Sequence, residues 1–176
     1  MQLEIEFSAC SRICSATERH LQPGDVYFSI LQLEAGELQR QDFCADAWRG
    51  PTEECVGWWR SRIPAKGDSQ PIMAPIDVML NLLEALEQMP AEVEFRYLLG
   101  LLLLRRKSLR REDTTRDDNG REVLILHCPR REKDYELIVA EPSPEQAVKL
   151  QQQMFDLLYG AREAAPVSTT SQEQDS

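Results

Sequence analysis

The chain is predicted to be an α+β protein. A small antiparallel β unit comes first, and an α-α-β-β-β-α unit follows, in which helices cover an antiparallel meander. Three observations carry this prediction. Residues 1–63 are rich in β-formers and turn residues. Apolar residues at helical spacing dominate 76–104. Past residue 108 the apolar period falls back to two on either side of an Asn-Gly turn.

Taken in order, Leu3, Ile5 and Phe7 alternate with Glu4 and Glu6, the pattern of a strand with one wet face. Pro23-Gly24-Asp25 marks a turn, and Val26 to Glu34 (VYFSILQLE) reads as a strand. Ala35-Gly36 reverses the chain, so Glu37 to Phe43 returns as its partner. Trp48, Trp58 and Trp59 fall in a stretch with Gly50-Pro51 and Gly57 that reads as loop. Residues 64–75, with three prolines and one glycine, read as a linker.

In the second unit, 76–160, Met79, Leu82, Leu83 and Leu86 share one helical face. Pro90 ends that helix and opens the next, expected over 91–107. Its run Leu98–Leu104 is apolar nearly all round, so it should be the central buried element. Strands are expected over 108–116, 122–128 and 135–140, the first two joined by Asp118-Asn119-Gly120-Arg121. Ser143-Pro144-Glu145-Gln146 is a capping box, and the helix after it buries Ala147, Leu150, Met154, Leu157 and Leu158. Residues 161–176 are small, polar and aperiodic, and are expected to be a disordered tail.

The 176 residues carry 30 acids against 20 Lys and Arg, a formal charge of -10. That acidity argues against a general nucleic-acid coat, which needs a basic surface. The start of the chain has no basic segment, and the apolar run Tyr97–Leu104 is far short of the ~20 residues a membrane span requires. A cytoplasmic protein with reduced thiols and no membrane contact is the expectation.

The five cysteines are Cys10, Cys14, Cys44, Cys55 and Cys128. Cys14 and Cys44 flank the first hairpin as the paired thiolates of a zinc ribbon would, but each opens only half of a CxxC, with Thr17 and Ala47 where second ligands belong. A metal set would draw on Cys10, Cys14, Cys44 and Cys55, with His20 as substitute for the last. The competing readings are a ribbon held by packing with no metal, for which Trp48 supplies apolar burial, and independent thiols. The compartment argues against a Cys14–Cys44 disulfide. The stretches CSATERHLQPGDVYFSIL, RQDFCADAW, RYLLGLLLLRRKSLR and EVLILHCPRREKDYEL resemble an uncharacterised bacterial family of planctomycete type. The resemblance spans about 10–160. It implies a degenerate zinc-ribbon-like N-terminus joined to a helix-and-hairpin part, and it brings no activity or site residue.

Two further clusters have binding chemistry. Trp58 and Trp59 stand beside Arg60 and Arg62, a mixture that stacks on bases, or else one indole plugs the core and the other packs on the second unit. Arg105, Arg106, Lys107, Arg110 and Arg111 fall within seven residues. They either face an acidic partner or phosphates, or cap a helix and pair with Glu112, Asp113, Asp117 and Asp118. His127 and Cys128 are adjacent on a strand and so point to opposite faces. No Walker A, GxGxxG, HExxH or GxSxG motif is present. The sequence therefore predicts a non-catalytic interaction or adaptor protein with an unidentified protein partner and no cofactor. The alternatives are a nucleic-acid or ribonucleoprotein accessory module built on Arg105–Arg111, a structural zinc protein, and a thiol enzyme at Cys14 or Cys44.

Overall fold

A computed structural model describes residues 10–68 and 72–160. The expected strand at Leu3–Phe7 and the expected tail lie outside them. The architecture is α+β: two antiparallel three-stranded sheets and three α-helices among the described residues.

The first sheet holds β1 (Val26–Glu34), β2 (Glu37–Cys44) and β3 (Cys55–Arg62), in the order β2-β1-β3. The β1–β2 hairpin turns at Ala35-Gly36, where both residues adopt positive φ, as a tight hairpin requires. β3 corrects the loop expected around Trp58 and Trp59, because Gly57 is not a turn residue. A Cβ there would meet the Val78 methyls at 2.9 Å, so the glycine lets the first helix approach the strand.

That helix, α1 (Ile76–Ala85), is shorter than the sequence suggested and tightens into a 3-10 turn at Leu86–Gln88. The reason is Pro90, which bars helical backbone at Met89 (φ -121, ψ 79). After a second 3-10 turn at Pro90–Glu92, α2 runs over Val93–Arg105. Lys107 (φ 60) stops it with a left-handed residue. The second sheet is the expected meander of β4 (Arg110–Arg116), β5 (Glu122–Cys128) and β6 (Lys133–Ile138), with β5 central. α3 (Pro144–Leu158) starts on the full capping box at Ser143 and Gln146.

One apolar cluster joins Leu31, Leu38 and Trp59 of the first sheet to α1, α2, α3 and the second sheet. The chain around residue 73 is tied to the end of α3, where Ala74 N–H donates to Leu158 O and Gly160 N–H donates to Ile72 O at 2.8 Å. Arg96 bridges layers from α2, its Nε donating to Leu83 O and its Nη1 to Glu136 O. No described helix is long and apolar enough to cross a membrane.

Candidate functional site

The strand register sorts the first sheet into two unlike faces. Tyr27, Ser29 and Leu31 pair with Cys44, Asp42 and Arg40 on β2 and with Ser61, Trp59 and Gly57 on β3. This inner face is buried. Three of its polar members, Ser29, Arg40 and Asp42, bond to one another, whereas Ser61 Oγ and Trp59 Nε1 are buried without a hydrogen-bond partner among the described residues. Ser29 Oγ donates to Asp42 Oδ1, and Arg40 donates through Nε to Asp42 and through Nη2 to Ser29 Oγ. Arg40 Nη1 reaches the carbonyls of Asp156, Leu157 and Tyr159, which are left open by the end of α3. The guanidinium also lies over the Trp59 ring. This cluster is a clamp between the first sheet and α3.

The outer face is different. Phe28 pairs with Phe43 on one side and Arg60 on the other, Ile30 with Trp58, and Val26 with Arg62. Trp48, from the loop after β2, stacks flat on Phe28 with ring centroids 5.0 Å apart and touches Phe43 and Trp58 at an angle. The patch has a small core of its own in Ile30, yet Trp58 stays 42 % exposed. Among the described residues, neither Arg60 nor Arg62 makes an ion pair. The adjacent tryptophans thus divide. Trp58 points to solvent, and Trp59, 3 % exposed, points into the shared core.

The cysteine region forms a knuckle. Residues 12–21 fold back on themselves through an Ile13–His20 bridge and a Leu21 N–H to Arg12 O bond. Ser15 N–H donates to Asp42 O, and Cys44 N–H donates to Cys14 Sγ at 3.3 Å. Cys14 and Cys44 are buried with Leu21, Tyr27 and Ile63, and Cys10 packs against them. Burial pushes the Cys14 thiol up. The Thr17 hydroxyl and the N–H groups of Cys44, Ala16 and Thr17 outweigh that and bring it down to about 6. Cys10 goes the other way, its thiol pushed up by burial and by the nearby Asp42 carboxylate.

Three cysteines of the expected metal set therefore share one region and the fourth does not. Cys44 pairs with Tyr27, whereas Cys55 pairs with Gln32 on the opposite side of β1. Five residues of strand put roughly 17 Å between those rows. Among the described residues no three His, Cys, Asp or Glu side chains converge as metal ligands. His20 does not complete a set, and all five thiols are unpaired. The described residues do not bring four ligands together as a tetrahedral zinc site requires.

The basic stripe lies around the reversal from α2 into β4, an edge strand. Arg105, Arg106, Lys107, Arg110 and Arg111 are all exposed. The acids expected to pair with them do not. Arg121 takes Asp117 at 2.7 Å, and Arg111 donates to the Thr114 hydroxyl. None of the five makes an ion pair among the described residues.

Other polar groups have structural work. His127 meets its cross-strand partner Asp134 at 2.6 Å, and Cys128 is buried on the opposite face. Glu84 on α1 takes the Tyr135 hydroxyl at 2.7 Å and Arg131 at 3.1 Å, which ties the β5–β6 hairpin to the helix. A cleft of about 220 Å³ beside Pro90 is lined by Leu86, Glu87, Met89, Val93, Arg96 and others. No family model, no curated protein and no solved structure matches the chain.

Sequence reasoning singled out Trp58 and missed its companions. Phe28, Phe43 and Trp48 lie on three separate segments, and only the strand register gathers them. Alternation in Trp58-Trp59-Arg60-Ser61-Arg62 was the available signal for β3. It places one indole and both guanidiniums on opposite sides from the other indole.

Proposed function

We propose that this is a non-catalytic, intracellular interaction protein whose working surface is the outer face of the first sheet. The observation that carries the reading is Trp58, exposed on a packed aromatic patch beside Arg60 and Arg62, which make no ion pair among the described residues. Tryptophan and arginine are the residues that dominate protein-interface hot spots. A monomer gains little by leaving such rings in water. The occupant is a protein partner with an apolar anchor for the rings and carboxylates for the two guanidiniums.

The non-catalytic part of the reading is supported by the thiols. The Cys14 thiol, held down to about 6, is wholly buried and hydrogen-bonded into the knuckle. We further read the knuckle as a ribbon whose metal has been replaced by N–H donors and packing, in keeping with the resemblance noted from the sequence.

Affinity capture from native lysate tests the proposal, with wild type compared against Trp58→Ala and Arg60→Glu/Arg62→Glu. Discrete proteins retained by wild type and lost by both variants, with far-ultraviolet dichroism unchanged, are expected. An identical retained set for all three, or retention of nothing specific, contradicts it.

A further inference from the structure

The chain is acid-rich, so a cation on its surface has many carboxylates to choose from, and several do choose one. Arg19 takes Asp25, Arg121 takes Asp117, Arg130 takes Asp77, and Arg131 and Lys133 take Glu84. Others, such as Arg49, Arg60, Arg62, Lys66 and Arg116, make no ion pair among the described residues, but only Arg105, Arg106, Lys107, Arg110 and Arg111 put five such cations within seven residues. Arg105 closes α2, Arg106 follows it, Lys107 sits at positive φ, and Arg110 and Arg111 open the edge strand. Glu112 and Asp113 follow directly in sequence and still make no ion pair with them among the described residues.

From this we propose a second binding site, independent of the aromatic face: the turn from α2 into β4 binds the phosphate backbone of a single-stranded nucleic acid. Three features choose that occupant. Four of the five cations are arginines, whose planar forks match phosphate oxygens. An acidic peptide wants an apolar anchor as well as charge. The large exposed apolar side chains of the described residues are Leu33, Trp58, Ile72 and Val148, and none lies in the stripe, where Leu109 is buried. The cations also wrap a chain reversal and do not line one straight helix. A flexible strand can follow that path, whereas a duplex offers its phosphates on a rigid one. Recognition of this kind is without base preference and strongly salt-dependent.

The test is fluorescence anisotropy with a labelled oligouridylate of about twenty nucleotides, at about 50 mM and about 200 mM salt. If all five cations meet phosphates, the fourfold rise in salt weakens binding about a hundredfold. Replacing Arg105, Arg106, Lys107, Arg110 and Arg111 together by glutamine should weaken binding at low salt at least ~10-fold and flatten the salt dependence. Arg19→Gln, which removes a paired cation elsewhere, should leave binding unchanged. Far-ultraviolet dichroism and the urea midpoint check that the five-fold variant is folded. A folded variant that binds like wild type overturns the proposal, as does wild type that fails to bind at low salt. Tighter binding of polyglutamate than of oligouridylate, or of duplex than of single strand, overturns it as well.

Discussion

Arg40 Nε donates to Asp42 Oδ1 at 3.1 Å with both side chains buried, and the same guanidinium holds the open carbonyls at the end of α3. An ion pair two residues apart on one strand thereby fastens the last helix to the first sheet. Arg40→Met leaves the Asp42 carboxylate buried without its cation and should cost about 3–5 kcal/mol. Adding Asp42→Asn removes the stranded charge and should recover at least ~1 kcal/mol. Urea unfolding of the three proteins measures both steps. A double variant no better than Arg40→Met alone would show that the carbonyl bonds, not the ion pair, set the loss.

The neighbouring tryptophans should separate by stability. Trp59 fills the shared core, so Trp59→Ala should cost about 3–5 kcal/mol. Trp58 contributes chiefly ring contacts on a surface, and Trp58→Ala should cost below about 1.5 kcal/mol. Equal losses in chemical denaturation would refute the assignment of inner and outer faces.

A pH dependence follows from the knuckle. The Cys14 thiol titrates near 6 in the folded chain and in the ordinary thiol range once unfolded. Between those values the unfolded state holds a proton that the native state has released. Stability should therefore rise with pH from about 6 toward about 9, by at most ~1.4 kcal/mol per pH unit from this group. The contribution is full above the unfolded value and is lost as pH falls through 6. Cys14→Ser keeps an acceptor for the same N–H donors without an ionising group. Urea midpoints at several pH values should rise less steeply for that variant. Parallel curves for the two proteins would mean that Cys14 stays a neutral thiol.

Gly57 tests the approach of β3 to α1. Alanine suits a strand no worse than glycine does, so propensity alone forecasts no loss. In place, the added methyl meets the branched Val78 side chain, which is stiff and buried. Gly57→Ala should lower stability by about 1–3 kcal/mol in thermal or urea unfolding. Pairing it with Val78→Ala should restore part of the loss, and no restoration would place the strain elsewhere.

Where local chemistry decides structure, the sequence was readable. The Ala35-Gly36 reversal and the Ser143 box follow from a few adjacent residues. The reversal at Asn119-Gly120 also forms, but with Gly120 alone at positive φ, and of the apolar run Leu98–Leu104 in α2 only Leu99, Gly100 and Leu103 are buried while Leu98, Leu101, Leu102 and Leu104 are half-buried. What escaped depends on pairs distant in sequence. Gly57 looked like a turn because its reason for being there is Val78. Arg40 carries no local signal of its role, because its carbonyl acceptors lie more than a hundred residues away. The knuckle was half visible. Cys14 and Cys44 could be placed at the two ends of a hairpin, but Cys55 could not be excluded until β3 had a register. For the basic stripe, the acids adjacent in sequence suggested pairs that the backbone reversal does not make.

The aromatic face of the first sheet is the centre of the functional account, and contact mapping in the cell reads it most directly. A photo-reactive benzoyl-phenylalanine placed at position 58 is compared with the same residue at position 148, which is 68 % exposed on α3 and distant from the patch in sequence. Irradiation should give a discrete crosslinked protein from position 58 and none from position 148. Position 58 yielding no crosslink, or the same products as position 148, would contradict the claim that this face meets a partner.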